Sequence, residues 1–117
     1  KQRVIGLTDE AVAAIQSIPP SLATDRLFHR GGKPLSDVSS TFRSKVKWAQ
    51  KAAQKERSNF EPFRFHDLRH LYAVESLQSR RISIYDLQQQ LGHSSIKTTE
   101  MYLAFLTPDE IRAAKRA

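Results

Sequence analysis

Five side chains suited to phosphate chemistry lie in two short stretches of the second half of the chain. His66, Arg69 and His70 form the first group, His93 follows a Leu-Gly pair, and Tyr102 lies nine positions beyond His93. Residues three and four apart share one helix face, so the first group is predicted to project together near a helix start. A guanidinium binds phosphate oxygens through a planar fork, and imidazole adds hydrogen bonding and proton transfer.

A tyrosine can act as a nucleophile in such surroundings. An ordinary phenol, with a pKa near 10, attacks phosphate only where cations neutralise the phosphoryl charge and a partner receives its proton. His66, Arg69 and His93 have the right chemistry for this around Tyr102. The competing interpretation is structural, because a tyrosine in a helix usually packs in the core. We expect that role for the other two tyrosines, Tyr72 and Tyr85.

The elements that must position these residues are mostly helices. Capping side chains followed by apolar residues at helical spacing predict helix starts at Thr8, Ser36 or Asp37, Ser83, Ser95 and Thr107. One further helix is predicted from Phe65 or His66 to about Ser79. The other predicted helix ends are Pro19-Pro20, about Glu56 and Gly92, and the helix after Ser95 is predicted to hold Tyr102.

Strand signals are few and lie early in the chain. Arg3-Val4-Ile5-Gly6-Leu7 is predicted to be a strand, Leu27-Phe28 a short extended piece, and Gly31-Gly32-Lys33-Pro34 a loop. The 117 residues suffice for one compact domain over residues 1–117. The predicted fold class is therefore mainly α, with a small β remnant at the amino-terminal edge.

The charge balance favours a polyanionic partner. Nineteen Lys and Arg against twelve Asp and Glu give a formal net charge of +7. On the helix ending near Glu56, an apolar face is backed by a row of cations, namely Arg43, Lys47, Lys51 and Lys55. This row is either a solvated face or a contact surface for the DNA backbone, and Arg43 and Lys47 are the strongest candidates for such contacts.

Other classes of protein have less support. There is no cysteine, so disulfides and thiolate metal sites are excluded. Two histidines four apart can bind zinc, but the zinc-protease pattern needs Glu where this chain has Asp67, and Arg69 would place a cation beside the metal. No metal site is predicted. No apolar run is long enough to span a bilayer, and no leader is evident, so a cytoplasmic location is expected.

The two stretches together resemble the tyrosine recombinases, the phage integrase family. The segment His66-Asp67-Leu68-Arg69-His70 followed by Ala73 is similar to the family's His-x-x-Arg motif. Leu91-Gly92-His93-x-Ser95-x-x-Thr98-Thr99-x-x-Tyr102 is similar to its Leu-Gly-His block and tyrosine. Each motif alone is only suggestive, whereas the ordered pair at this spacing is specific. The likeness extends from Arg3 through the last helix and implies the helical catalytic fold of that family.

The resemblance implies a role for each residue. Tyr102 would attack the scissile phosphodiester, form a 3′-phosphotyrosine and release a 5′-hydroxyl. Arg69 would hold the non-bridging phosphate oxygens, His93 would hydrogen-bond the phosphate, and His66 would act in proton transfer around the nucleophile. His70 is assigned to nucleic-acid binding. No cofactor is implied, because the covalent link conserves the energy of the broken bond.

The resemblance also implies partners and missing parts. The expected partner is a double-stranded DNA attachment site, bound by a homo-oligomer, expected to be a tetramer, of a bacterial or phage-encoded protein. The family needs a further upstream Arg and a hairpin Lys, and Lys1 lies too close to Arg3 to match that Lys. We therefore expect the chain to be the carboxy-terminal fragment of a recombinase catalytic domain, inactive or nearly so when alone.

The sequence is also compatible with two other functions. A non-catalytic helical DNA-binding module would explain the charge and the helices, but not the spacing of Arg, His and Tyr. A type IB topoisomerase would share the tyrosine chemistry without exchanging strands between sites. Replacing Tyr102 by Phe separates cleavage from binding. The sequence does not indicate which DNA site is recognised, or whether the biological role is prophage integration, island mobility or chromosome resolution.

Overall fold

The computed structural model of the chain describes residues 3–116, so Lys1 and its comparison with the family's hairpin Lys lie outside the described residues. Within residues 3–116 there are six α-helices, one 3-10 helix and one two-stranded antiparallel sheet. The contacts divide them into an amino-terminal unit, residues 6–64, and a carboxy-terminal unit, residues 3–5 with 65–116. The mainly helical class with a small sheet near the amino terminus is confirmed.

The two helices of the amino-terminal unit begin at capping side chains. Helix α1 spans Asp9–Gln16, and the Thr8 hydroxyl accepts the Ala11 N–H at 3.2 Å. Helix α2 spans Ser39–Lys55, and one carboxylate oxygen of Asp37 accepts the N–H groups of Ser39 and Ser40. These hydrogen bonds, with Ser40 contributing most, lower the pKa of Asp37. The predicted start at Thr8 is confirmed. Helix α2 begins one residue later than predicted, because its N-cap residue is Val38, and Asp37 accepts the first N–H groups from the position before it.

The strands of this unit form a tight hairpin. Strands β1 (His29–Arg30) and β2 (Lys33–Pro34) pair in antiparallel fashion. Gly31 and Gly32 connect them with φ values of 58° and 83°, and left-handed backbone at both turn positions is what a two-residue hairpin requires. The loop prediction for residues 31–34 was therefore wrong in part. Among residues 3–116 no strand pairs with Arg3–Leu7, and that segment forms no strand within the described residues.

The carboxy-terminal unit contains the remaining helices. They are α3 (Asp67–Gln78), α4 (Ile84–Leu91), α5 (Ile96–Glu100), the 3-10 helix Met101–Phe105 and α6 (Pro108–Ala114). The hydroxyls of Ser83, Ser95 and Thr107 cap α4, α5 and α6 as predicted. Tyr102 lies in the 3-10 helix and not in a continuous α-helix, which corrects one detail of the prediction.

One apolar cluster holds the carboxy-terminal unit together. Helix α3 packs against the 3-10 helix and α6, and α4 packs against α5. The buried members of the cluster are Ala73, Leu77, Ile84, Leu87, Leu91, Tyr102 and Ala114. No helix of the described residues is long and apolar enough to cross a membrane.

The aromatic side chains are distributed differently from the sequence-based expectation. Tyr72 packs partly buried against the cluster, as expected, but Tyr85 is 47% exposed. Trp48 is 71% exposed. The side chain of Tyr102, by contrast, is almost wholly buried, at 2% exposure. Helical spacing shows which residues share a face, but it does not show what covers that face.

Candidate active site

The residues singled out from the sequence are carried by three neighbouring segments of the carboxy-terminal unit. His66 precedes α3, whose first turns carry Arg69 and His70. Helix α4 ends at Gly92, whose φ of 75° is the left-handed conformation that turns the chain sharply before His93. The segment α5 and the 3-10 helix carry Tyr102. The site is therefore built within one unit, from a helix start, a helix end and a short 3-10 segment.

The hydroxyl of Tyr102 hydrogen-bonds His70. The Tyr102 Oη lies 2.7 Å from the His70 Nδ1, and the two ring centroids are 5.7 Å apart. His66, which the sequence placed beside the nucleophile, is exposed and has its ring edge-on to His70 at a centroid distance of 4.9 Å. The shared face predicted for these histidines is thus present. The residue that contacts the phenol is the one that sequence reasoning assigned to DNA binding.

His93 is held by a buried threonine. Its Nδ1 lies 2.8 Å from the Oγ1 of Thr99, which is fully buried in the core. Burial lowers the pKa of His93 below its ordinary value, and the charges of Arg69 and His70 lower it further. A neutral imidazole that accepts the Thr99 hydroxyl at Nδ1 carries its proton on Nε2. In that state His93 offers one N–H donor to an anion.

Two guanidinium groups meet at the end of α4. Arg69 and Arg3 both donate to the main-chain carbonyl of Leu91, Arg3 at 3.1 Å. A carbonyl at a helix end lacks a helical partner and carries the negative end of the helix dipole, so it suits a cation. Gly92 makes the approach of Arg3 possible, since a Cβ there would collide with the Arg3 guanidinium. Arg3 and His93 both line a cleft beside this helix end.

Sequence reasoning missed the structural parts played by Thr99, Arg3 and His70. Thr99 was noted only as part of the tyrosine block, and its six-residue spacing from His93 has no general meaning before the turn at Gly92 is known. Arg3 lies 88 positions from Leu91, and no local pattern indicates that contact. His70 shares a helix face with His66, and the sequence could not tell which ring faces the tyrosine.

The predicted DNA contacts lie in the other unit. Arg43 and Lys47 are exposed on α2, together with Lys51 and Lys55. The apolar face opposite them contains Val46, the buried residue of this unit, and Phe42, whose ring meets Phe63 edge-on at 5.7 Å. The cation row is therefore accessible, and DNA binding by Arg43 and Lys47 stays a prediction. Among residues 3–116 no cluster of three His, Asp or Glu side chains is arranged to hold a metal ion.

Comparison with known families gives one result. The model of the family described as "Phage integrase family" matches residues 1–107. Comparisons with curated proteins and with solved structures give no match. The matched region contains both stretches singled out above, from His66 to His70 and from Leu91 to Tyr102.

Proposed function

The chain belongs to the phage integrase family, and from this membership we propose that it cuts and rejoins DNA at specific sites through Tyr102. Membership implies site-specific recombination; the nucleophile and the site residues are our assignment. The observation that carries the proposal is the hydrogen bond between the Tyr102 hydroxyl and the His70 imidazole, with the permanent cation of Arg69 next to His70 in the chain and in the same unit. A helical module that only binds DNA does not require that combination.

In the proposed reaction the Tyr102 oxygen attacks a phosphodiester of the DNA backbone. The bond from Tyr102 Oη to phosphorus forms, the bond from phosphorus to the 5′-oxygen breaks, and the products are a 3′-phosphotyrosine and a 5′-hydroxyl. Attack of a 5′-hydroxyl on the phosphotyrosine reverses these changes and rejoins the strand. One phosphate ester replaces another, so the sequence of steps needs no external energy source.

Arg69 and His93 are proposed to stabilise the charge on the phosphate. Arg69 donates to the Leu91 carbonyl, and a guanidinium has five N–H donors in all, so donors remain for the non-bridging oxygens. His93 uses Nδ1 for Thr99 and offers Nε2 to the same phosphate. Preorganised donors of this kind typically contribute about 10²–10³-fold each to the rate. His66, exposed beside His70, is proposed to exchange protons between the site and solvent.

The test is covalent capture of DNA by the complete gene product that contains these 117 residues. A randomised duplex pool, selected for binding, supplies the site. Nicked duplexes carrying that site are then incubated with protein and run on a denaturing gel. We expect a protein–DNA band that Tyr102→Phe abolishes. Tyr72→Phe and Tyr85→Phe are the matched controls, because each removes a hydroxyl elsewhere in the same unit and should keep the band.

A non-catalytic DNA-binding module is the second candidate, supported by the net charge of +7 and the exposed cation row on α2. Tight binding to the selected duplex with no covalent band from the wild-type protein would favour it. In both cases Arg43→Gln and Lys47→Gln should each weaken DNA binding and reduce the slope of log affinity against log salt by about 0.9, as the loss of one phosphate contact requires. Unchanged slopes would remove α2 from the DNA-binding surface.

Assembly is also proposed. Exchange of strands between two duplexes requires four cleavages, which a tetramer with one Tyr102 in each subunit would provide. The partner is then a double-stranded attachment site bound by several copies of the chain. Sedimentation of the complete gene product with and without the selected duplex tests this proposal, since a monomer on a duplex carrying two sites would contradict it.

A further inference from the structure

The hydrogen bond between Tyr102 and His70 identifies a candidate proton acceptor for the nucleophile. Tyr102 is buried, and its hydroxyl forms a hydrogen bond with Nδ1 of His70. A separation of 2.7 Å between oxygen and nitrogen lies at the short end of the normal range, which leaves no room for a water molecule between them. In the neutral tautomer of His70 that carries its proton on Nε2, the phenol therefore donates directly to Nδ1 before any DNA is bound.

His66 and His93 are less well placed to receive this proton. His66 is exposed and contacts the ring of His70, and among the described residues no hydrogen bond joins it to Tyr102. The Nδ1 of His93 is engaged by Thr99, and its ring lies in surroundings that oppose a positive charge. A base must lie within hydrogen-bond reach of the proton it removes, and His70 meets that requirement.

We propose that His70 is a catalytic residue that takes the Tyr102 proton as the phenol oxygen attacks the phosphate. The inference rests on the proposed function, because it assumes that Tyr102 is the nucleophile. In the step, the O–H bond of Tyr102 breaks, its proton binds Nδ1 of His70, and the oxygen–phosphorus bond forms. The 5′-oxygen leaves with a proton from water, and the hydroxide so formed is neutralised by the imidazolium, so charge and protons balance.

The neighbouring residues support this assignment. In the neutral tautomer that accepts from Tyr102, His70 carries its own proton on Nε2. The ring is fixed by its place on the first turns of α3 and by the edge-on ring of His66. Attack by an ordinary phenol is slow near neutral pH because little phenolate is present, and a positioned base typically accelerates such a step by about 10²–10⁴-fold.

The experiment measures single-turnover formation of the covalent adduct by the complete gene product on the selected nicked duplex. Two variants separate hydrogen bonding from proton transfer. His70→Gln keeps a hydrogen-bond acceptor but cannot hold a proton at neutral pH, and His70→Ala removes the ring. We expect adduct formation to slow by about 10²–10⁴-fold in both. Added imidazole should restore part of the rate of His70→Ala and leave His70→Gln unchanged, which a purely structural role would not produce.

A second substrate shows whether His70 acts on the proton of the nucleophile or on the proton of the leaving group. A duplex with a 5′-bridging sulfur at the scissile phosphate loses a thiolate, which needs no proton on leaving. The defect of His70→Gln should persist on this substrate, because the proton in question belongs to the nucleophile. A defect that disappears with the sulfur substrate would assign His70 to the leaving group and overturn the proposal. A wild-type rate for His70→Gln on the oxygen substrate would also overturn it.

The outcomes distinguish this inference from the function on which it rests. If the wild-type protein forms no adduct, or if Tyr102→Phe still forms one, the proposed function fails. If Tyr102 is required while His70→Gln acts at the wild-type rate, only the role of His70 fails. Binding of each variant to the same selected duplex confirms that the variant is folded. If His70→Ala no longer binds the duplex, the comparison of His70→Gln with the wild type is the test.

Discussion

The two units of the chain differ in how much of them is buried. Of the ten buried residues among residues 3–116, nine belong to the carboxy-terminal unit and one, Val46, to the amino-terminal unit. Helix α1 has no buried residue, and α2 has only Val46. The amino-terminal unit is organised by caps, a glycine turn and an aromatic contact, whereas the carboxy-terminal unit has a continuous core.

The difference shows where the precision of the site originates. Tyr102 and Thr99 are both buried, and both hydrogen-bond to a histidine of the site. The core of the carboxy-terminal unit and the chemistry proposed for it therefore share side chains. Catalytic groups must be held to within a fraction of an ångström, which buried packing does better than exposed loops. The amino-terminal unit presents charge at its surface, a task that tolerates looser structure.

Truncation of a core residue should reveal this difference most strongly. Leu87 is fully buried, so Leu87→Ala should lower the free energy of unfolding by about 2–5 kcal/mol. Val46→Ala, the matched change in the amino-terminal unit, should cost about 1–2 kcal/mol because fewer methyl groups leave water. Urea unfolding followed by circular dichroism measures both values. A cost for Val46→Ala as large as that for Leu87→Ala would contradict the sparser packing of the amino-terminal unit.

Two glycines with left-handed backbone allow a second comparison. Gly31 has open space where a Cβ would go, whereas at Gly92 that Cβ would meet the Arg3 guanidinium. Gly31→Ala should therefore cost about 1–2 kcal/mol from backbone strain alone. Gly92→Ala should cost about 1 kcal/mol more, because Arg3 loses its hydrogen bond to Leu91. In a protein that also carries Arg3→Ala, thermal unfolding should show no extra cost of Gly92→Ala over Gly31→Ala. An extra cost that persists there would contradict the contact between Arg3 and Leu91.

Each unit also has an arginine with positive φ after a long helix. Arg57 follows α2 with φ 53°, and Arg80 follows α3 with φ 58°. A side chain with a Cβ is strained in this conformation, so Arg57→Gly and Arg80→Gly should each stabilise the protein by about 0.5–1 kcal/mol. Melting temperatures of both variants test this. Destabilisation by either change would mean that the arginine side chain makes a contact worth more than the strain.

The smallest expected effect is a dependence of stability on pH through His93. Its pKa is lowered in the folded protein, so between that value and the ordinary value of about 6.5 the unfolded chain binds more protons. Stability from this residue is fully present above pH 6.5 and declines as pH falls through the lowered pKa. The urea concentration at the midpoint of unfolding should differ less between about pH 5 and about pH 7.5 in His93→Asn than in the wild type. An unchanged difference would exclude His93 as the cause.

The sequence predicted local features well and long-range ones poorly. The caps at Thr8, Ser83 and Thr107 were recoverable because a cap involves only neighbouring residues. The strand at Arg3–Leu7 was predicted from an apolar run, but a strand exists only where a second strand completes its hydrogen bonds. The hairpin at Gly31-Gly32 carried a recognisable turn signal that was interpreted as a loop.

For the site, the residue types and the spacing indicated its members but not their contacts. His66 and His70 lie on the same helix face, so only the packing of α3 against the 3-10 helix could decide which ring reaches Tyr102. The two arginines at the Leu91 carbonyl come from positions 3 and 69. Their meeting depends on the fold as a whole, and local periodicity carries no information about it.

The shared carbonyl of Leu91 has a consequence for how a DNA phosphate would enter the site. The carbonyl is a neutral ligand that occupies part of the Arg69 guanidinium before any anion arrives. Ordering a long side chain costs up to about 2 kcal/mol in lost rotamers, and here that ordering precedes DNA binding. An incoming phosphate would meet the remaining N–H donors of a guanidinium that is already in place. The end of α4 would then hold the Arg69 guanidinium in position for the substrate.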